Sequence, residues 1–168
     1  MHPALPLLGL LALSACARAP ASEAGREQRI AELYAGYHEK FPEVPDISAT
    51  ELESHLEDPG LVLVDVREAR ERNVSTLPGA LSAEEFEARE DELRGRRVVT
   101  YCTIGYRSGL YAERLRQEGW DAVNLEGSIL AWTHAGGPLV DPEGRPTHRV
   151  HVYGRRWNLA ADGYEPVW

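Results

Sequence analysis

One short segment of this chain combines residues that could perform nucleophilic chemistry. The stretch YCTIGYRSG, residues 101–109, holds Cys102, one of two cysteines among 168 residues. It follows an apolar run and precedes a turn that contains glycine and Arg107. A thiol becomes a nucleophile when it ionises, and cations, backbone N–H groups and helix N-termini favour the thiolate. The pattern therefore predicts that Cys102 has a lowered pKa and faces a small anion.

The neighbouring elements place this cysteine at the edge of a sheet. RRVVTYC, residues 96–102, is predicted to form a buried strand, and residues 108–119 a helix whose Leu110, Tyr111 and Leu115 face inward. Open α/β sheets bind ligands at the carboxyl ends of their strands. A loop of successive N–H groups makes an anion cradle there, and the following helix N-terminus adds positive potential.

The rest of the chain alternates between helices and strands. The continuous apolar run LVLVDV (61–66) is typical of a strand buried on both faces of a parallel sheet, and DAVNLEG (121–127) predicts a further strand. Ser48 is expected to cap a helix, and Ser82 with Glu85 forms a capping box. A first helix is predicted within residues 22–41. The fold class is therefore α/β with a parallel sheet.

Composition limits the class of partner. The chain is 43% hydrophobic and 27% charged, as in soluble globular proteins, and its formal net charge is −9. Phosphate binding needs clustered cations. We therefore expect no nucleic-acid partner.

The N-terminus predicts export. Residues 3–16, PALPLLGLLALSAC, form an apolar run shorter than the roughly 20 residues that span a bilayer, which is the length of a signal-peptide core. The residues Leu13 to Cys16 resemble a bacterial lipoprotein lipobox, although no Lys or Arg precedes the run. The resemblance implies a signal over 1–15, cleavage before Cys16 and acylation of its thiol. An ordinary cleaved signal and a Cys16–Cys102 disulfide are the alternatives.

Four stretches in order resemble the single-domain rhodaneses, a family of sulfurtransferases. They are LVDVREARE (63–71), LPGAL (77–81), VVTYCTIGYRSGLYAERLRQEGW (98–120) and VNLEGSILAWTHAGGPL (123–139). The resemblance implies a five-stranded parallel sheet with helices on both faces. It also implies that Cys102 takes a sulfane sulfur from a donor such as thiosulfate and passes it to a thiophilic acceptor. The residues expected to bind the substrate are Thr103, Ile104, Gly105, Tyr106, Arg107 and Ser108.

Departures from the family pattern leave the sulfur donor open. Thr103 stands where many thiosulfate-using members carry Arg, and NVST (73–76) stands where a His often precedes LPGA. Arg107 is expected to offer a two-pronged contact to an anionic donor; the alternative is that it only holds the loop in place or pairs with a surface carboxylate. Cysteine phosphatases of this fold use Cys-x5-Arg. Here four residues separate Cys102 from Arg107, so the loop is one residue short for phosphate.

Other polar and aromatic residues have structural interpretations. Asp65 and Arg67 are expected to form a buried salt bridge rather than line the site, and Trp132 to lie in the core. His148 and His151 would face opposite sides of a strand, so we expect no metal site. No cofactor is expected.

The tail, residues 141–168, lies outside the resemblance. A hairpin is predicted over 138–153, and its aromatic residues are expected to pack on the domain: Tyr153, Trp157, Tyr164 and Trp168. The alternative is that the tail forms a lid over the sulfur site or a partner surface.

Together these features predict a lipid-anchored sulfurtransferase of the bacterial cell envelope, facing the periplasm or exterior. The predicted organisation is a signal (1–15), a tether and helix (16–44), a rhodanese domain (45–140) and an aromatic extension (141–168). Its expected partners are a small sulfur donor, a thiol or cyanide-like acceptor, and the membrane through Cys16. The alternative is a catalytically idle binding module at the membrane.

Overall fold

The computed structural model describes residues 19–168, so the signal-like segment and Cys16 lie outside the described residues. In chain order the elements are α1 (Glu23–His38), β1 (Asp46–Ile47), α2 (Ala49–Glu53), β2 (Leu61–Asp65), α3 (Ala69–Arg72), β3 (Leu81–Ser82), α4 (Ala83–Glu87), α5 (Glu90–Leu93), β4 (Arg97–Tyr101), α6 (Tyr106–Gln117), β5 (Ala122–Leu125), α7 (Ser128–His134), β6 (Leu139–Val140), β7 (Pro146–Thr147), β8 (Arg149–His151), a short 3-10 helix (Arg155–Trp157) and β9 (Glu165–Val167).

The predicted five-stranded parallel sheet is confirmed. Its strand order is β1-β5-β4-β2-β3, and every neighbouring pair is parallel. The central strand, β4, pairs with β2 over the full length of both strands. The edge strand β1 was not predicted from the sequence, because two residues show no periodicity and gain their strand geometry from β5.

Helices cover both faces of the sheet, as predicted. Residues of β2 alternate between the two faces, with Val62 and Val64 in one apolar cluster and Leu63 in the other. The first face is covered by α4, α5 and α6, and the second by α1, α2 and α7. Trp132 on α7 is fully buried, which confirms its predicted place in the core.

The buried face of α6 differs from the prediction. Leu115 is buried, but Leu110 is 39% exposed, so its predicted inward position is wrong. Small residues face the interior instead, because a Cβ at Gly109 would lie 2.2 Å from the Phe41 ring. The close approach of α6 to its neighbours therefore leaves no room for a leucine there.

The C-terminal extension docks on α1 and α7. Its β6 and β7 form a short antiparallel hairpin, while β8 pairs in parallel with β9. Arg26 on α1 pairs with Asp162, and the Tyr164 hydroxyl donates to the Gly137 carbonyl at 2.8 Å. Tyr164 therefore packs as predicted, whereas Tyr153 and Trp168 stay more than half exposed. Within residues 19–168, no helix has the length and apolar character needed to cross a membrane.

Candidate active site

The loop that begins at Cys102 lies at the carboxyl edge of the sheet. Cys102 directly follows β4, and Gly105 directly precedes α6. The Cys102 N–H donates to Ser128 Oγ at 3.0 Å, and the Ile129 N–H donates to the Cys102 carbonyl at 3.3 Å. Both contacts are made by the first two residues of α7, which follows the adjacent strand β5. The start of α7 therefore holds Cys102 and the beginning of the loop in place.

Gly105 is required by both conformation and space. Its φ is +106°, a region that side chains with a Cβ rarely adopt. A Cβ at this position would lie 2.4 Å from the Tyr34 ring. Asn124 on β5 also holds the Gly105 peptide in place, because its Nδ2 donates to the Gly105 carbonyl at 2.9 Å.

The Cys102 thiol is buried, yet its surroundings favour the ionised form. Burial by itself raises the pKa of the thiol. The charge of Arg107, hydrogen bonds from the hydroxyl and N–H of Ser108, and one from the Gly105 N–H outweigh burial, so the pKa of Cys102 lies below its ordinary value. The Gly105 N–H donates to Sγ at 3.2 Å. The lowered pKa predicted from the loop is in agreement with this geometry.

Arg107 makes its two-pronged contact with the carboxylate of Glu71, within this chain. Its two terminal nitrogens donate to the two oxygens of Glu71 at 2.7 and 2.8 Å, and one also donates to Thr103 Oγ1 at 3.1 Å. Glu71 is fully buried on α3, so Arg107 holds the loop against α3 and does not pair with a surface carboxylate. Burial raises the pKa of Glu71, but hydrogen bonds and charge from Arg107 outweigh it and hold that pKa at about 2.

Sequence reasoning did not identify Glu71 as a site residue. It lies 36 residues before Arg107, at the end of LVDVREARE (63–71), and was used only for the family resemblance. The local signal that it does carry is a capping box with Glu68, in which Glu71 Oε2 accepts from the Glu68 N–H at 3.0 Å. That signal indicates a helix start and does not indicate a partner for Arg107.

Asp65 and Arg67 form the predicted buried salt bridge. Arg67 Nη2 donates to Asp65 at 2.6 Å and to the Ser75 carbonyl at 2.7 Å, and both side chains are essentially without solvent contact. The guanidinium also lies over the Tyr101 ring. The pair therefore ties the loop after β2 to the segment before β3, beneath the site.

A pocket of about 230 Å³ opens above Cys102. It is lined by Tyr37, Glu68, Cys102, Thr103, Ile104, Tyr106, Arg107, Tyr153 and Trp157. Gly105 and Ser108, also predicted to bind the substrate, lie behind the thiol and act on it through hydrogen bonds. A larger cavity of about 910 Å³, between residues 19–26 and 155–168, has no thiol among its lining residues.

The histidines of the extension have structural contacts. His151 is buried, and its Nδ1 accepts from the Tyr153 N–H at 3.0 Å. The His148 ring packs edge-on against Tyr164. In the part of the chain that the structure describes, no group of three His, Cys, Asp or Glu side chains is arranged to hold a metal ion.

Comparison with known proteins identifies the family. Residues 48–135 match the profile of the rhodanese-like domain family. A sulfurtransferase of Allochromatium vinosum is 37% identical over 106 residues, which cover 60% of this chain and 99% of that protein. A putative sulfurtransferase of Bacillus subtilis is 32% identical over 94 residues, covering 54% of this chain and 91% of the relative.

A solved structure shares the fold. The rhodanese-related protein of Thermoplasma volcanium superposes with a TM-score of 0.51 at 27% identity, covering 57% of this chain and 97% of that one. The chain is therefore a member of the rhodanese-like domain family, and at the level of that family it is a sulfurtransferase-type enzyme.

Proposed function

We propose that Cys102 carries a sulfane sulfur, as a persulfide, from a small donor to a thiol or cyanide-like acceptor. The observation that supports this most directly is the setting of the thiol. It lies at the floor of an open pocket, accepts a hydrogen bond from the Gly105 N–H at 3.2 Å, and has a lowered pKa. A thiolate in that position is a nucleophile with room for one added atom and a bound substrate.

The transfer consists of two displacements at sulfur. The Cys102 thiolate attacks the outer sulfur of the donor, an S–S bond forms, and the bond between that sulfur and the rest of the donor breaks. With thiosulfate the leaving group is sulfite, and with an organic persulfide it is a thiolate. The acceptor then attacks the outer sulfur and restores the Cys102 thiolate, so charge and electrons balance over the cycle.

The N-terminus of α6 stabilises the persulfide anion. α6 is 12 residues long and begins at Tyr106, so its unpaired N–H groups and its dipole point toward the loop. The outer sulfur carries the negative charge after the first displacement. The loop therefore stabilises the same charge before and after sulfur has moved.

The geometry favours sulfur transfer over phosphate ester hydrolysis. The guanidinium that a cysteine phosphatase aims at phosphate is committed here to Glu71. A carboxylate at this position would also repel a dianionic phosphate. The short loop and the ion pair together support a single small sulfur atom as the transferred group.

Intact-protein mass spectrometry tests the proposal. The full chain carrying Cys16→Ser leaves Cys102 as its single thiol, and it is exposed to thiosulfate, a thiosulfonate and an organic persulfide. We expect a gain of one sulfur atom that a reducing agent or cyanide removes, and no gain in the matched Cys102→Ser chain. No gain with any donor would favour the idle binding module.

We further propose that a lipid on Cys16 holds the domain at a membrane surface of the cell envelope. The support comes from the apolar run that ends in Leu-Ser-Ala-Cys. One acyl chain gives marginal membrane binding, so stable retention requires more than one.

A further inference from the structure

Four aromatic rings surround the mouth of the Cys102 pocket. They belong to Tyr37 on α1, Tyr106 on α6, and Tyr153 and Trp157 in the C-terminal extension. The Tyr37 and Tyr106 rings lie 5.2 Å apart, centre to centre. Except for Tyr106, these residues lie outside the stretch 48–135 that matches the family. Segments added to the family core therefore build most of the aromatic wall.

The charges at the mouth are already paired. Arg107 is the single cation among the nine lining residues, and Glu71 neutralises it through two hydrogen bonds. The carboxylate of Glu68, at the rim, pairs with Arg70 at 2.9 Å. Among the described residues that line this pocket, an inorganic dianion such as thiosulfate therefore meets no unpaired side-chain cation.

Tyr153 is held at the mouth in a strained conformation. Its φ is +67°, which is uncommon for a residue other than glycine and often marks a functional position. Its N–H is bound by His151, while its side chain stays 52% exposed. The Arg107 guanidinium lies 5.6 Å from the ring centre. The contact with His151 holds the backbone in this conformation, and it leaves the exposed ring at the mouth, where a ligand could contact it.

We propose that these rings select a sulfur donor with a small apolar body, preferably a single aromatic ring, over inorganic thiosulfate. The inference rests on the proposed function and names the substrate class of the same site. The pocket, at about 230 Å³, is smaller than the range of roughly 300–1,000 Å³ that holds drug-sized ligands. The body packs against Tyr153 and Trp157 while its terminal sulfur reaches Cys102.

Two thiosulfonates that differ only in their organic group isolate the contribution of that group to the rate of persulfide formation. Benzenethiosulfonate and methanethiosulfonate carry the same charge and the same reacting sulfur, and each loses a sulfinate when the Cys102 thiolate takes its outer sulfur. Single-turnover rates of persulfide formation are measured for both donors and for thiosulfate. Each rate is divided by the rate of the same donor with free cysteine, which removes differences in intrinsic reactivity.

We expect benzenethiosulfonate to exceed methanethiosulfonate by about tenfold after this correction, because aromatic pairs add to the gain from burial. Methanethiosulfonate in turn is expected to exceed thiosulfate. Trp157→Ala and Tyr153→Gly should each reduce the ring preference by about three- to tenfold. Glycine is chosen at 153 because it adopts a positive φ without strain, so this variant keeps the fold.

Trp168→Ala is the matched control. Trp168 is also an exposed aromatic residue of the extension, at 54%, but it does not line this pocket. The control should keep the full ring preference. Equal corrected rates for the two thiosulfonates, or a preference that survives both pocket variants, would overturn the inference while leaving the persulfide chemistry intact. Absence of a persulfide with every donor would instead overturn the proposed function.

Discussion

Replacing Arg107 with alanine leaves the carboxylate of Glu71 buried without its ion-pair partner. Glu71 has no solvent contact, and Arg107 supplies two of its hydrogen bonds, at 2.7 and 2.8 Å. Thr103 Oγ1 donates a third at 3.0 Å and would remain in the variant. The variant therefore measures what the guanidinium contributes to folding.

The size of the effect follows from the pKa of Glu71. That pKa falls from an ordinary value of 4.5 to about 2. At about 1.36 kcal/mol per unit, the shift corresponds to roughly 3 kcal/mol of stability, net of the cost of burial; Arg107 supplies the largest part, and the Glu68 N–H and the Thr103 hydroxyl supply the rest. A third of the Arg107 side chain is in contact with water, which screens the charge. We therefore expect Arg107→Ala to lower the free energy of unfolding by about 2–3 kcal/mol at pH 7.

The effect depends on pH in a defined direction. Because the pKa of Glu71 is lower in the folded state than in the unfolded state, the stabilisation is complete above about pH 4.5 and is lost as the pH falls toward about 2. In Arg107→Ala, burial raises the pKa of Glu71 because the opposing charge is gone, so the variant regains stability by protonation as the pH falls. The difference in unfolding free energy between wild type and Arg107→Ala should therefore be largest at pH 7 and should shrink between pH 5 and pH 3.

Urea unfolding of Arg107→Ala, Glu71→Gln and the double variant checks the reasoning. Glu71→Gln removes the charge but keeps an acceptor, so the double variant should cost about 2 kcal/mol less than the sum of the single variants. If the losses of unfolding free energy in the two single variants add up to the loss in the double variant within about 0.5 kcal/mol, the coupling between Arg107 and Glu71 is refuted. A cost of Arg107→Ala that is unchanged between pH 5 and pH 3 would refute the linkage to Glu71.

Three further predictions concern the loop and the N-terminus. Alkylation of Cys102 in the Cys16→Ser chain should have a pH midpoint below that of free cysteine, and Arg107→Ala should raise it by removing a positive charge; a midpoint equal to that of free cysteine contradicts an activated thiol. Gly105→Ala should lower the free energy of unfolding in urea by about 2 kcal/mol or more, against about 1 kcal/mol for Gly95→Ala, which shares a positive φ but has open space around it. Equal losses would show that crowding at Gly105 does not matter. Full-length protein should incorporate a fatty-acid analogue and sediment with membranes, while Cys16→Ser should do neither; an unlabelled wild type would exclude the anchor.

Local sequence patterns were sufficient to predict the strand, loop and helix around Cys102. The apolar run before the cysteine and the glycine after it specify a buried strand and a turn within a few residues. The Ser82–Glu85 capping box was predicted in the same way and is present, with both hydrogen bonds formed. Such signals act between residues close in the chain, so they can be read without the fold.

Patterns of helix burial were less informative. Leu110 has the residue type of an inward position, yet Gly109 and Ala112 occupy the buried face of α6. The distance between α6 and the ring of Phe41 determines which face is buried. That distance depends on a residue nearly seventy positions away and has no signature in the helix itself.

The chain by itself determined the parallel sheet, the place of Cys102 at the carboxyl end of β4 and the family. Only the tertiary structure revealed that Glu71 neutralises Arg107 and that Tyr37, Tyr153 and Trp157 surround the thiol. These contacts join segments that are far apart in sequence, and each segment alone has an ordinary helical or turn pattern. The polarity of the parallel sheet accounts for the first contact, because Glu71 and Cys102 follow the carboxyl ends of the adjacent strands β2 and β4. The aromatic side chains come from α1 and the C-terminal extension, so the docking of these added segments beside that edge decides their position.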